Sequence, residues 1–176
     1  MKLNERDTRH AQVMAIARQI MTAARTAPKA KGLDILEIMT VDGDELLTLS
    51  AKTRELGESM QHDFMLRDAD NLLSAEAVVL IGTHESPQGL NCAHCGYATC
   101  AAKPAAVPCA INTVDVGIAL GSACATAADW RVDSRVMFSV GFAAQTLNWL
   151  KDCKTVLAVL LSASSKNPFF DRKPKE

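Results

Sequence analysis

Four of the six cysteines in this 176-residue chain fall in one stretch, GLNCAHCGYATCAAKPAAVPCAIN, spaced Cys92-x2-Cys95-x4-Cys100-x8-Cys109. Three thiols within nine residues and a fourth soon after can converge on one centre without distant structure. The residues between them are small (Ala93, Gly96, Ala98, Ala101, Ala102), so backbone N–H groups can approach sulfur and tune a cluster. Pro104 and Pro108 stiffen the return to Cys109. Four thiolates are what a [4Fe–4S] cluster needs. Zinc takes the same ligands, with His94 able to replace one, although structural zinc sites usually present two separated pairs. A plant-type [2Fe–2S] site runs in the reverse order, C-x4-C-x2-C. Four unligated thiols in a loop is the remaining reading. The expected metal ligands are therefore Cys92, Cys95, Cys100 and Cys109, holding a [4Fe–4S] cluster, with zinc as the alternative metal.

Composition narrows the classes of partner. Basic residues number 19 and acidic residues 20, a net charge of −1 that provides no field for nucleic acid or an anionic membrane. Aromatics make up only 5%, too few for a base-stacking platform. The polar start, MKLNERDTRHAQVM, has no signal-peptide apolar core. The longest apolar stretch, Val114 to Ala128, is interrupted by Asp115 and is short of the ~18 residues a span needs. These features read as a cytoplasmic protein with neither nucleic-acid nor membrane partners. In a reducing compartment, clustered cysteines bind metal or do redox work more often than they form disulfides.

The elements that must position the cysteines follow from periodicity. Residues 4–25 carry Val13, Ala17, Ile20, Met21 and Ala24 at helical spacing, and Pro28 and Gly32 stop the helix. LDILEIMTV (33–41) suits a strand; a helix through Leu46, Leu47, Leu49 and Leu56 closes at Gly57; a second helix covers 62–73. AEAVVLIGT reads as a buried strand. The irregular segment 84–110 is longer than a compact domain tolerates without a functional reason. INTVDVGIALGSACATAADW reads as a buried helix, residues 129–135 as a polar break, MFSVGFAAQTLNWL as a helix and KTVLAVLLSAS as a last buried strand. With no repeat or linker, residues 1–176 are expected to form one α+β domain, helices on a small central sheet, with the Cys-rich metal loop 84–110 inserted.

GLNCAHCGYATC resembles the four-cysteine domain of Rnf-type electron-transport subunits and corrinoid iron–sulfur proteins, departing from it at Ala93, usually Gly there, and in the short gap to Cys109. Across nearly the whole chain, ARTAPKAKG, RDADNLLSA, GLNCAHCGYATC, VDVGIALGSACATAADWRVDSRVMFSVG and SSKNPFFDR resemble the bacterial and archaeal ferredoxin-domain-containing family of unknown function. A second resemblance, to FMN-dependent nitroreductases, rests on AARTAPKAKG, NTVDVGIALGSA and DRKPKE in that order. It implies a nitroreductase-like fold, a bound FMN and a homodimer. Arg25, Lys29, Lys31 and Arg172 are then candidates for the FMN phosphate, with Thr26 donating a hydrogen bond and Lys166 in a turn where an anion contact is possible. Gly117, Gly121 and Ala125 would let something flat approach, although such a stripe also serves helix packing.

Asp129, Arg131, Asp133 and Arg135 alternate in sign and read as surface ion pairs or a subunit contact. Scattered His10, His62 and His84 support no hydrolytic triad. Cys124 reads as a core residue, and Cys153 has no assigned role. The leading expectation is a redox protein passing electrons between the cluster and FMN, supplied by a redox partner protein or a small-molecule donor. A non-enzymatic electron carrier without flavin and a zinc-stabilised binding protein are the alternatives.

Overall fold

AVVLIGTH is buried at seven of its eight positions, which only a strand covered on both faces can satisfy. It is the second strand of a four-stranded sheet in a computed structural model that describes residues 1–170. The elements run α1 (Glu5–Thr26), β1 (Leu36–Val41), α2 (Asp44–Met60), α3 (Asp63–Leu72), β2 (Ala77–His84), α4 (Ala110–Asp129), β3 (Asp133–Met137), α5 (Phe138–Thr146) and β4 (Cys153–Ser162). Single 3-10 turns lie at Ala30–Gly32 and Cys100–Ala102. The strand order is β1-β2-β4-β3, and every neighbouring pair is antiparallel.

The central strands divide their side chains between two cores. Val79, Ile81, Val159 and Leu161 pack with Ile16, Ile20, Val116 and Ala123 from α1 and α4. Val78, Leu80, Ala158 and Leu160 face the other way, onto Leu49 of α2, Leu72 of α3 and Val140 and Ala144 of α5. The result is three layers: the α+β class is as expected, and the helices lie on both faces of the one small sheet. Two approaches between elements are close enough to demand glycine. A Cβ at Gly141 of α5 would stand 2.1 Å from the Val156 carbonyl oxygen, and one at Gly57 would stand 2.9 Å from Met65 Cβ.

Three expectations are corrected. Gly57 does not end α2: the helix continues to Met60 and closes on Gln61, in the left-handed region at φ 56, because Gly57 serves packing against α3. The polar segment after Asp129 is not a break, since Asp133–Met137 pairs with β4 from Ser162 to Ala158 as an edge strand. Asp133 accepts from Asn167 Nδ2, while Arg135 donates to the Phe169 carbonyl and lies 4.9 Å from the Phe170 ring centre, so these two charges serve the 163–170 turn. Finally, α4 is long and apolar enough, by length and composition, to cross a bilayer. Its buried stripe of Asn112, Asp115, Val116, Ala119, Ala123 and Ala127 instead lies against the protein's own core.

Candidate functional site

The cysteine loop occupies residues 85–109, between the end of β2 and the start of α4. Its first half is turned by left-handed backbone at Gly89 (φ 68), Asn91 (φ 48), Ala93 (φ 59) and Gly96 (φ 86). For Ala93 that conformation costs roughly 1–2 kcal/mol, which the surrounding contacts must offset. A reciprocal pair closes the turn: Asn91 N–H donates to Cys100 Sγ at 3.4 Å, and Cys100 N–H donates to Asn91 Oδ1 at 2.8 Å. Cys92 and Cys95 lie within the ring so formed, half-buried like Cys100. The backbone N–H to sulfur bond is of the kind that stabilises a ligated thiolate.

Cys109 differs from the other three. It is 6% exposed and precedes the first residue of α4. Its N–H points between the two oxygens of the Glu85 carboxylate, 3.1 Å from each. Glu85 in turn binds Lys103 Nζ at 2.8 Å, and the two side chains are only 15% and 3% exposed. The ammonium also donates to the carbonyls of Pro104 and Val107. A buried ion pair of this kind is tolerated only when its remaining donors and acceptors are satisfied, and removing one partner typically costs ~3–5 kcal/mol. Neither Glu85 nor Lys103 stands out in the sequence, because each looks like an ordinary loop charge.

All six cysteines are free thiols. Among the described residues, no three His, Cys, Asp or Glu side chains stand close enough together to hold an ion. The donor set nonetheless fits a thiolate-loving metal: four cysteines in one loop, no disulfide competing for them, and an N–H already bonded to one sulfur. To ligate a common centre, the thiols of the turn must move toward one another. His94, the possible zinc substitute, is exposed.

The residues expected around FMN are dispersed in their commitments. Arg25 binds Asp34 Oδ1 and the Leu36 carbonyl, both at 2.7 Å. Lys29 Nζ closes the end of α1, donating to the carbonyls of Ala24, Arg25 and Ala27. Lys31 Nζ donates to the Gln88 carbonyl at 2.7 Å, tying this turn to the cysteine loop. Thr26 Oγ1 bonds back to Thr22 and Ala23 of its own helix. Lys166 sits in the exposed 163–170 turn, where Ser164 Oγ donates to its carbonyl. Arg172 lies outside the described residues. Gly117 and Gly121 do lie on an open face of α4, with nothing within 4 Å of where a Cβ would stand. Val114 and Ile118 on that face are 52% and 41% exposed. Beneath it, Asp115 Oδ1 accepts from Ala30 N–H at 3.0 Å, while its Oδ2 is buried without a donor among the described residues.

The family described as "Uncharacterized protein containing a ferredoxin domain (DUF2148)" matches residues 105–172, a segment that includes Cys109. An uncharacterized protein of Archaeoglobus fulgidus is 39% identical over 186 residues, covering the whole of both chains. The chain belongs to this ferredoxin-domain family. Its fold is shared with solved nitroreductases. The chain superposes with a TM-score of 0.62 on a nitroreductase with bound FMN from Desulfitobacterium hafniense, 13% identical, covering 94% of this chain and 92% of that one. A putative nitroreductase in complex with FMN from Desulfovibrio desulfuricans gives a TM-score of 0.57 at 14% identity, covering 91% and 79%. At these identities the likeness is one of fold, and it bears out the expected nitroreductase-like α+β architecture.

Proposed function

We propose that this ferredoxin-domain protein is a cytoplasmic redox protein whose loop holds a [4Fe–4S] cluster on Cys92, Cys95, Cys100 and Cys109. The observation that carries this reading is the loop itself: four free thiols, one already accepting a backbone N–H and one held at the start of α4, with no disulfide. When bound, such a cluster supplies one-electron transfer. The chain's part is to present the thiols, donate N–H groups to sulfur and shield the centre on the Cys109 side.

FMN is the proposed second cofactor, lying over the open Gly117 and Gly121 face of α4 beside the Lys29–Lys31 turn. The phosphate assignment fits less well, because Arg25, Lys29 and Lys31 are each bonded to acceptors of the chain itself. That observation favours, as second reading, an electron carrier of the same cluster without flavin. In either case the electron source is a redox partner protein or a small-molecule donor. The bare apolar stripe of α4 suits a homodimer formed through it.

The test is protein purified without oxygen, assayed for iron, sulfide, zinc and visible absorption. Iron and sulfide with flavin bands support the two-cofactor reading; iron and sulfide alone support the carrier. A colourless protein with stoichiometric zinc overturns both and leaves a zinc-stabilised binding protein. Cys95→Ser is expected to lose most of its iron, and full retention removes Cys95 from the ligand set.

A further inference from the structure

We infer that Glu85 and Lys103 are positioning residues that hold Cys109 in place before any metal arrives, so that one buried ligand is fixed beside α4 and the turn carrying Cys92, Cys95 and Cys100, itself closed by Asn91, moves onto it. The inference rests on the metal-centre reading for what Cys109 does, but the clamp is visible in the metal-free chain. Three observations carry it. Cys109 is buried while Cys92, Cys95 and Cys100 are only half-buried. Its backbone N–H is held by both oxygens of a carboxylate from the far side of the loop, 24 residues away in sequence. That carboxylate is itself held by an ammonium, 3% exposed, whose other bonds go to the carbonyls of Pro104 and Val107 within the same loop.

The asymmetry has a physical logic. A ligand preorganised by packing and hydrogen bonds loses little entropy when the metal binds, whereas the turn around Cys92 and Cys95 must still rearrange. Pinning one thiol shortens the search for the remaining three. Outer partners of this kind commonly change metal affinity 10–100-fold when removed.

The experiment measures site-resolved alkylation of the metal-free, full-length chain by iodoacetamide, read by mass spectrometry, in wild type, Glu85→Ala, Glu85→Gln and Lys103→Ala. Cys153, 5% exposed on β4 and paired with His84 of β2, reports loosening that spreads from the loop into the sheet. Positioning predicts that Cys109 labels at least tenfold faster in both alanine variants while Cys153 keeps its rate. Glu85→Gln, which retains an oxygen for the Cys109 N–H, is expected to recover part of the protection. A charge effect on the thiol alone would move Glu85→Ala and Lys103→Ala in opposite directions, and that result overturns the inference. Unchanged Cys109 labelling, or Cys109 and Cys153 accelerating together, overturns it too. In parallel, each chain is reconstituted with ferrous iron and sulfide and stripped with a chelator, with iron loss expected to be 10–100-fold faster in the alanine variants. Wild type that takes up no cluster would sink the metal-centre reading while the labelling still decides the clamp; equal stripping rates in loaded wild type and variants would deny Glu85 and Lys103 any role toward the metal.

Discussion

Arg25 and Lys29 look, in sequence, like cations waiting for an anion, and in the fold both are engaged by the chain's own acceptors. For Lys29 these are the carbonyls of Ala24, Arg25 and Ala27 at the end of α1, where a cation also complements the helix dipole. For Arg25 the partner is Asp34. Burial alone would push the Asp34 carboxyl up, but the Arg25 hydrogen bond, the Leu36 N–H and the charges of Arg25 and Lys29 together hold it below the usual carboxylate range. A carboxyl depressed in the folded state stabilises above its unfolded value and loses that contribution as pH falls through the folded value. Asp34→Asn is therefore expected to be less stable than wild type at pH 7, by no more than about 1 kcal/mol for so exposed a pair. The difference should narrow as pH drops below about 3.9. Urea midpoints of both proteins across pH check it, and a gap that stays constant into acid would remove the ion pair as its cause. The thiol quartet was legible in sequence because its spacing is local. Glu85, Lys103 and Asn91 were not, because their role depends on which backbone group they meet after folding.

At the scale of elements, the apolar runs of β2 and β4 announced themselves, since a strand buried on both faces needs no polar residue. β3 did not, because its charges Asp133 and Arg135 are matched only by the 163–170 turn after folding and the strand takes its identity from pairing with β4. Gly57 and Gly141 show a related limit: sequence reads a helical glycine as a stop or a weak point, whereas here each permits a neighbour's close approach. Gly141→Ala would drive its Cβ to 2.1 Å from a backbone oxygen of β4 that cannot swing away, so α5 must shift. The expected cost is at least ~2 kcal/mol, near the upper part of the range for overpacking. Denaturant midpoints check this, with Gly117→Ala as the comparison, since nothing stands within 4 Å of its new methyl and helix propensity favours alanine. Equal effects of the two substitutions would contradict the packing argument.

At the scale of the molecule, helices cover both faces of the sheet, yet α4 turns an apolar stripe outward through Val114, Gly117, Ile118 and Gly121. A second copy of the chain, enclosing the FMN proposed over Gly117 and Gly121, is the occupant proposed for that stripe. Ile118→Asp would place a charge in the middle of such a contact, and sedimentation should show wild-type dimers and variant monomers at the same concentration. A variant that sediments like wild type would rule out this face. The helix's apolar composition was plain in sequence and suggested full burial. Which half of it faces the core was decided only when Asn112 and Asp115 were drawn inward by Ser86 and Ala30, leaving valine and isoleucine outside. The sequence by itself determined the thiol quartet, the two central strands and the α+β class, because spacing and period are properties of neighbouring residues. Only the tertiary structure decided which charges are engaged, which strand forms the edge, and that Cys109 alone among the four is buried, its N–H bonded to Glu85, because each depends on groups brought together across tens of residues.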